Sequence, residues 1–142
     1  MVDNPPKDTP HVSPYLLVDD VDEQVDWVVD VLGFADQGRA KGPDGKTMHA
    51  AVRAGEGLVM MGTPGETYRT PKSLGGTTSM VYVYVDDVDA SHARAKQKGA
   101  EIVDEIADQF YGDRTFGVRD PQGHLWWLAE HVRDVGPEDM HP

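Results

Sequence analysis

The residues with the clearest chemical potential lie in a short polar run, Tyr111-Gly112-Asp113-Arg114. The Arg114 guanidinium could hold a carboxylate or phosphate through two parallel hydrogen bonds. The Tyr111 ring could stack on a ligand, and its hydroxyl could donate a hydrogen bond. The alternative is a structural role, in which Asp113 and Arg114 pair with a different structural module of the chain or with a second subunit and fix the loop.

Histidines are the second group of candidates, because imidazole can carry a proton near neutral pH or bind a metal ion. His49 lies in a predicted strand after a glycine-rich turn, His124 follows an Asp-Pro-Gln-Gly turn, and His131 lies near the end of the last predicted strand. A solvated or hydrogen-bonded histidine without further function is the alternative for each. Their spacing alone does not define a metal site, which needs several converging ligands.

Composition narrows the possible functions. The 142 residues contain no cysteine, which excludes disulfides, thiolate metal sites and cysteine nucleophiles. The formal net charge of -12 disfavours nucleic acid and could attract a cationic ligand. No apolar run approaches the roughly 18 to 20 residues that a membrane helix needs. We therefore expect a cytoplasmic protein with no nucleic-acid or membrane partner.

An internal repeat indicates how the chain is organised. The pentapeptide Val18–Asp22 recurs as Val85–Asp89, and Tyr15 and Tyr82 share the same offset of 67 residues. Each pentapeptide follows a strand-like apolar run and opens a helical pattern. The repeat therefore predicts two related structural units.

The turns that open and close the helices carry characteristic residues. Asp20 and Asp87 are suited to N-caps, with Glu23 at the capping-box position of the first helix. Gly33 and Gly99 lie where a helix ends in a left-handed residue. The paired aspartates at these turns are thus assigned to capping rather than to acid–base catalysis.

Strand-like segments follow each helix, at about 34–39, 47–54 and 58–62 and again at about 101–105, 114–119 and 124–130. Each unit is therefore predicted to form a βαβββ module. We predict an α+β fold of one domain, residues 13–132, with module one at 13–62, a linker at 63–78 and module two at 79–132. The tails, 1–12 and 133–142, are predicted to be disordered. The modules are expected to pair into an open, barrel-like sheet that forms a cleft.

The duplicated βαβββ pattern resembles the vicinal oxygen chelate superfamily, which includes glyoxalase I, extradiol dioxygenases and bleomycin-resistance proteins. Several motifs further resemble its branch of glyoxalase-like proteins related to a phosphonate-operon accessory protein. Those motifs are Met48-His49-Ala50, Met60-Met61 after the Gly55 turn, Tyr111-Gly112-Asp113-Arg114, and the run from Asp120 to Trp127. The resemblance covers residues 13–132 and implies the glyoxalase/bleomycin-resistance fold.

The resemblance also implies where a metal ion would be bound. Metal-dependent relatives hold one divalent ion through His or Glu side chains on the first and last strands of the two modules. The corresponding positions here are Ser13, Met80, Met61 and Trp127, or Met60 and Trp126 if the last strands are shifted by one residue. None suits Zn²⁺, Ni²⁺ or Fe²⁺, because thioethers prefer Cu(I). We therefore expect no metal and no cofactor, and either an apolar pocket or a core filled by these side chains.

The predicted function is metal-independent binding of a small molecule, such as the sequestration of an aromatic or cationic antibiotic. The predicted ligand-binding residues are Tyr15, His49, Met61, Met80, Tyr82, Tyr111, Arg114 and Trp127. Relatives commonly form homodimers in which each cleft is built from both chains, sometimes with swapped modules, so a homodimer is expected.

Two other functions remain open at this point. One is a glyoxalase-like lyase, isomerase or dioxygenase whose metal is held by a non-standard set such as His49, His124 and a carboxylate. The other is a purely structural or protein-binding domain.

Overall fold

The computed structural model describes residues 2–142; Met1, the first residue of the predicted tail, lies outside the described residues. The first helix, at Val21–Trp27, continues directly into a π-helical segment at Val28–Leu32. The elements are β1 (Tyr15–Leu17), α1 (Val21–Trp27), β2 (Ala35–Lys41), β3 (Thr47–Ala54), β4 (Gly57–Gly62), α2 (Pro71–Leu74), β5 (Met80–Tyr84), α3 (Val88–Gln97), β6 (Glu101–Asp108), β7 (Asp113–Arg119) and β8 (Leu125–His131).

The two predicted βαβββ modules are confirmed, and their sheets have the same topology. The strand order is β1-β4-β3-β2 in the first sheet and β5-β8-β7-β6 in the second. In each sheet the first strand pairs in parallel with the last, and the other pairs are antiparallel. Each sheet has four strands, and within residues 2–142 neither closes into a barrel.

The predicted helix ends are also confirmed. The Asp20 carboxylate accepts a hydrogen bond from the Glu23 backbone N–H (3.0 Å), and the Asp87 carboxylate accepts one from the Ala90 N–H (3.0 Å). At the other end, Gly33 has a φ of 77°, which glycine adopts without the steric cost that a Cβ brings.

One hydrophobic core runs through both modules on the helix-covered sides of the sheets. The apolar face of the first helix is buried, with Val21, Val25 and Val28 at most 1% exposed. Phe34 of module one packs against Trp126 of module two, with ring centroids 6.1 Å apart. Because the helices cover only one face of each sheet, the other face of each remains open.

The turn between β7 and β8 locks module two onto the start of α1. Gln122 is fully buried, and its Oε1 accepts hydrogen bonds from the backbone N–H groups of Asp19 (2.9 Å) and Asp20 (3.2 Å). Its Nε2 donates to the Glu23 carboxylate (2.9 Å). The predicted return bond of the capping box, from Asp20 N–H to Glu23, is therefore replaced by a contact between modules.

Asp120 supplies the second half of this contact. Its Oδ2 accepts hydrogen bonds from Gln24 Nε2 (2.6 Å) and Trp126 Nε1 (2.8 Å). His124, 8% exposed, places Nε2 2.7 Å from the Leu17 carbonyl oxygen. We refer to the contacts of Asp120, Gln122 and His124 with module one as the module latch. They fix the mutual position of the two modules, since buried polar groups are costly to leave unpaired.

The remaining segments run along the modules. The linker contains α2, which the Thr70 side chain caps. In the amino-terminal segment, the Asp8 carbonyl accepts a hydrogen bond from Arg53 Nη2 (2.9 Å). The predicted disorder of the tails stays a prediction. Among residues 2–142 no helix has the length and apolar character required to cross a bilayer.

Candidate ligand-binding site

Both sheets expose the face that their helices leave uncovered. We call these the first open face, which contains Tyr15, Leu17, His49, Met60 and Gly62, and the second open face, which contains Met80, Tyr82, Tyr84, Asp113, Gly117 and Trp127. The edge strands show the alternation clearly, since Leu16 is 7% exposed while Tyr15 is 50% exposed. Large apolar and aromatic side chains exposed together are typical of a binding surface.

On the first open face, Tyr15 and His49, two of the candidate ligand-binding residues, lie next to each other. The Tyr15 hydroxyl lies 3.1 Å from His49 Nδ1, and the two rings are 5.6 Å apart at their centroids. The Tyr15 ring lies across the neighbouring strand at Gly62, because a Cβ there would collide with the tyrosine hydroxyl. The glycine thus allows the ring to lie flat on the sheet.

A cavity of about 580 Å³ opens beside Tyr15. It is lined by Tyr15 and Leu17 of β1 and by Thr63, Gly65 and Tyr68 of the linker. None of these side chains is charged, and the volume lies within the range of drug-sized sites. The linker therefore does more than join the modules, since it forms one wall of this cavity.

On the second open face, the Trp127 indole lies across β7 at Gly117. A Cβ on Gly117 would lie 2.7 Å from the indole ring. The indole N–H donates to the Asp104 carboxylate (3.3 Å). Tyr82 is the register partner of Trp127 on the adjacent strand. An aromatic surface therefore spans neighbouring strands of the second sheet.

Behind these rings, the Asp113 carboxylate forms three hydrogen bonds. Its side chain is 3% exposed, and Oδ2 accepts from the hydroxyls of Tyr82 (2.7 Å) and Tyr84 (2.8 Å). Its Oδ1 lies 2.8 Å from His131 Nδ1, and His131 Nε2 lies 2.8 Å from Asp134. The sequence analysis considered Asp113, His131 and Tyr82 separately and did not connect them, because 18 to 31 residues separate the other members from Asp113.

This network changes the acidity of its members. Burial acts to raise the pKa of the Asp113 carboxyl, but hydrogen bonds from Tyr82, His131 and Tyr84 lower it overall. The pKa of His131 is raised by its bonds to Asp113 and Asp134. Burial and the bond to Asp113 raise the pKa of Tyr82. The network thus favours the ionised carboxylate of Asp113, the protonated ring of His131 and the neutral phenol of Tyr82.

Met61 does not reach either open face, although the sequence placed it in the pocket. It is fully buried in the core and pairs in register with Leu16, whereas Met60 pairs with Tyr15. The 67-residue offset takes Met60 to Trp127. Counting from the turn glycines failed because the turn before β4 is offset by one residue relative to the turn before β8.

Arg114 also points away from the second open face. It lies on the side covered by α3, where its guanidinium bonds Asp108 (2.6 Å) and Asp89 (3.0 Å). These contacts lie within its own module, and not with the other module as the structural alternative expected. Tyr111 stays beside the second open face, where it adds to the raised pKa of Tyr82 after burial and Asp113.

The side chains at the expected metal positions do not fit a divalent ion. Met60 and Trp127 occupy the last-strand positions on the open faces, and Met80 and Ser13 belong to the first-strand positions. The Ser13 hydroxyl is buried without a hydrogen-bond partner, but a lone hydroxyl does not make a site. Within residues 2–142, no group of three or more His, Cys, Asp or Glu side chains is placed to hold a metal.

The two histidines of the alternative metal set make contacts in different parts of the molecule. His49 lies next to the Tyr15 hydroxyl, whereas His124 belongs to the module latch. No sequence pattern indicates the role of His124 in the module latch, because the Leu17 carbonyl that it contacts lies 107 residues away.

Comparison with known proteins finds a family model and relatives that are similar to this chain. The model of the Glyoxalase/Bleomycin resistance protein/Dioxygenase superfamily matches residues 9–128. An uncharacterized protein of Mycobacterium bovis is 40% identical over 136 residues, covering 92% of this chain and 90% of that protein. An uncharacterized protein of Mycobacterium tuberculosis is equally similar, with 80% of its length covered.

Solved structures agree with the fold. TioX from Micromonospora sp. ML1 superposes with a TM-score of 0.69 at 35% identity, covering 89% of this chain and all (100%) of that one. TnmS3, described as an antibiotic binding protein from Streptomyces sp. CB03234, has a TM-score of 0.67 at 22% identity, with 87% and 97% covered. The second similarity concerns the fold alone.

Proposed function

Because the chain belongs to the Glyoxalase/Bleomycin resistance protein/Dioxygenase superfamily, we propose that it binds and sequesters a small molecule without using a metal ion. The observation that carries this proposal is the cavity of about 580 Å³ beside Tyr15, whose lining is uncharged. Pockets of this size and polarity bury most of the surface of a drug-sized ligand.

The exposed rings support an aromatic ligand. Tyr15 lies flat over Gly62 in one module, and Trp127 lies flat over Gly117 in the other. Flat rings with one free face favour offset stacking on a planar molecule. An antibiotic is a suitable class of ligand, since TnmS3 shares the fold and is described as an antibiotic binding protein.

The side chains at the metal positions support independence from a metal. Met60 and Trp127 offer a thioether and an indole where relatives use His or Glu, and neither holds Zn²⁺, Ni²⁺ or Fe²⁺ well. The same side chains instead extend the apolar area of the two open faces.

We further propose a homodimer whose clefts each combine the first open face of one protomer with the second open face of its partner. The module latch and the common core join the modules of one chain through their helix-covered sides. The open faces remain exposed, with Tyr15 50%, Met80 51% and Tyr84 60% exposed. A twofold arrangement covers both faces with one repeated interface.

The test is a ligand screen on the full chain by tryptophan quenching, using planar aromatic antibiotics with and without EDTA. We expect saturable quenching that EDTA leaves unchanged. Tyr15→Leu should weaken binding about tenfold, because it removes a stacking ring worth roughly 1 kcal/mol or more. Met140→Ala is the matched control, since Met140 is 45% exposed and does not line the cavity.

Two results would overturn the proposal. Unchanged fluorescence across the panel would remove the binding function. Binding or turnover that appears only after incubation with Ni²⁺, Zn²⁺ or Fe²⁺ would instead support the glyoxalase-like alternative.

A further inference from the structure

The second open face presents ring surfaces but no free phenol donors from its two strand tyrosines. Tyr82 and Tyr84 are 40% and 60% exposed, yet both hydroxyls donate to the buried Asp113 carboxylate. Their rings contact each other edge to face, with centroids 5.6 Å apart and an angle of 71°. A ligand on this face therefore meets the rings rather than the hydroxyl groups.

The same hydrogen bonds increase the attraction of these rings for positive charge. The face of an aromatic ring carries a partial negative charge from its quadrupole. Donation of the phenol proton to a carboxylate moves further electron density toward the ring. Cations are attracted to such faces within about 6 Å of the ring centre, and the attraction grows where water is excluded.

The charged groups around the rings have an excess of negative charge. Glu101 and Arg119 neutralise each other in an ion pair of 2.9 Å. Asp104 lies at the edge of the Trp127 indole with no cationic partner among the described ion pairs.

The Asp113 network adds to that excess. His131 lies between two carboxylates, those of Asp113 and Asp134, so its single positive charge leaves one negative charge uncompensated. The Asp104 carboxylate at the rim and the Asp113 carboxylate behind the rings thus place negative charge on two sides of the three rings, while the neighbouring Arg133 directs its guanidinium to the Gln109 carbonyl (3.3 Å). The cavity on the first open face contrasts with this, since its lining carries no charge.

Resting on the proposed function, we propose that the second open face is the subsite for a positively charged group of the ligand. The cation lies over the rings of Tyr82, Tyr84 and Trp127, with Asp104 at the rim. The uncharged cavity beside Tyr15 takes the apolar part. The class of ligand is thus a planar aromatic molecule with a fixed cationic centre.

A matched pair of probes tests the charge. N-methylacridinium carries a permanent positive charge, whereas acridine has nearly the same ring system and is mostly uncharged at neutral pH. We expect the full-length protein to bind N-methylacridinium about tenfold more tightly than acridine, measured by fluorescence titration. Added salt should weaken binding of the cation and leave acridine unaffected.

A matched pair of variants locates the subsite. Asp104→Asn removes one charge from the rim but keeps an oxygen that can accept the indole N–H. It should lower the affinity for N-methylacridinium about threefold and leave that for acridine unchanged. Glu105→Gln is the control, since Glu105 lies on the same strand but contacts His92 and Lys96 on the α3 side. It should change neither affinity.

Removal of a ring provides a second, independent variant. Tyr84→Leu should lower the affinity for the cation several-fold more than that for acridine. The circular dichroism and unfolding midpoint of each variant verify that the fold persists.

Each outcome has a definite meaning. Equal affinity for both probes would overturn the cationic subsite while leaving small-molecule binding intact. Failure of both probes to bind would count against both proposals. A preference for the cation that Asp104→Asn and Tyr84→Leu do not alter would place the cation elsewhere and overturn the assignment to this face.

Discussion

Gly62 and Gly117 determine how closely aromatic rings approach the two open faces. In both places a side chain on the glycine would meet the ring that lies across its strand. Both glycines lack the left-handed backbone that would require glycine for conformational reasons. Their role is therefore steric, and it can be tested by adding a single methyl group.

The first prediction concerns Gly117→Ala. The new methyl group would have to push the Trp127 indole off the sheet, because the ring atoms lie within 2.9 Å of its position. We expect a loss of about 1 to 3 kcal/mol in the free energy of unfolding, as for other overpacked sites. Urea unfolding followed by fluorescence measures this loss, and ligand affinity should fall with it.

The control is Gly76→Ala, since a Cβ on Gly76 would meet nothing within 4 Å. A surface change of this kind should alter stability by no more than about 0.5 kcal/mol. Equal effects of the two substitutions would show that Trp127 does not lie on Gly117 in solution.

The second prediction concerns the pH dependence of the Asp113 network. The pKa of His131 is raised, so its contribution to stability is full below the ordinary value of 6.5 and is lost as pH rises through the raised pKa. The pKa of Asp113 is lowered, so its contribution is present above 3.8 and is lost as pH falls through the lowered pKa. The network should therefore stabilise the fold most between these two ordinary values.

An NMR titration of the His131 ring checks this directly. The midpoint should lie above 6.5 and should move down in Asp134→Asn, which removes one of its two carboxylate partners. Asp139→Asn removes a charge from the same carboxy-terminal segment that has no bond to His131, and it should leave the midpoint in place. A midpoint that does not respond to Asp134 would rule out the ion pair seen in the structure.

The sequence predicts which residues alternate along a strand, but the face on which each set lies depends on the partner strand. Tyr15, Tyr82 and Trp127 lie on the open faces, and their part in ligand binding stays a prediction. Met61 was displaced by one residue, which transfers a side chain to the opposite face of the sheet. The Asp113 network was missed because its members come together only when β5, β7 and β8 pair.

At the level of elements, the most informative feature is that only module two has a turn that forms the module latch. Asp120, Gln122 and His124 hold the β7–β8 turn against the start of α1. The matching turn of module one, Gly55-Glu56-Gly57, has none of these residue types except a single carboxylate. A groove of about 390 Å³ lies there instead. The latch therefore fixes the modules from one end.

The third prediction is the cost of opening this latch. Gln122→Leu keeps the volume but leaves the N–H groups of Asp19 and Asp20 without their acceptor. We expect a loss of about 1 to 3 kcal/mol in the free energy of unfolding by urea. Gln97→Leu on the exposed side of α3 is the control and should be nearly neutral. A neutral Gln122→Leu would mean that solvent replaces the latch without penalty.

The elements themselves followed well from the sequence. Asp20, Asp87 and Gly33 marked the helix ends because capping is a local property. The strand β6 runs to Asp108, beyond the predicted end at 105, because pairing with β7 continues through two irregularities. Such extensions depend on pairing with a neighbouring strand, so the residues of the extended strand do not predict them.

At the level of the whole molecule, the fourth prediction follows from the proposed division of each cleft between two protomers. Tyr15→Leu damages the first open face and Trp127→Leu damages the second, so each pure variant has two damaged clefts. A mixed dimer of the two variants gathers both changes in one cleft and leaves the other intact. Titration of the purified mixed dimer should therefore restore one site of wild-type affinity per dimer.

The control places both substitutions in the same chain. A chain with both substitutions, paired with a wild-type chain, should place one change in each cleft and bind weakly at both. If instead this control keeps one wild-type site and the mixture of single variants keeps none, the cleft lies within one protomer. A monomer at the concentrations used for binding would also contradict the shared cleft.

The commitment of Tyr82 and Tyr84 to Asp113 has a consequence for how selective the protein can be. Discrimination between close chemical analogues comes mainly from buried polar groups that lose their partners when the wrong molecule binds. These two hydroxyls are already satisfied by Asp113, so an analogue with an altered peripheral substituent leaves neither of them stranded. The second open face should consequently tolerate a chemical series that shares one ring system, which suits protection against a mixture of related congeners better than recognition of a single metabolite.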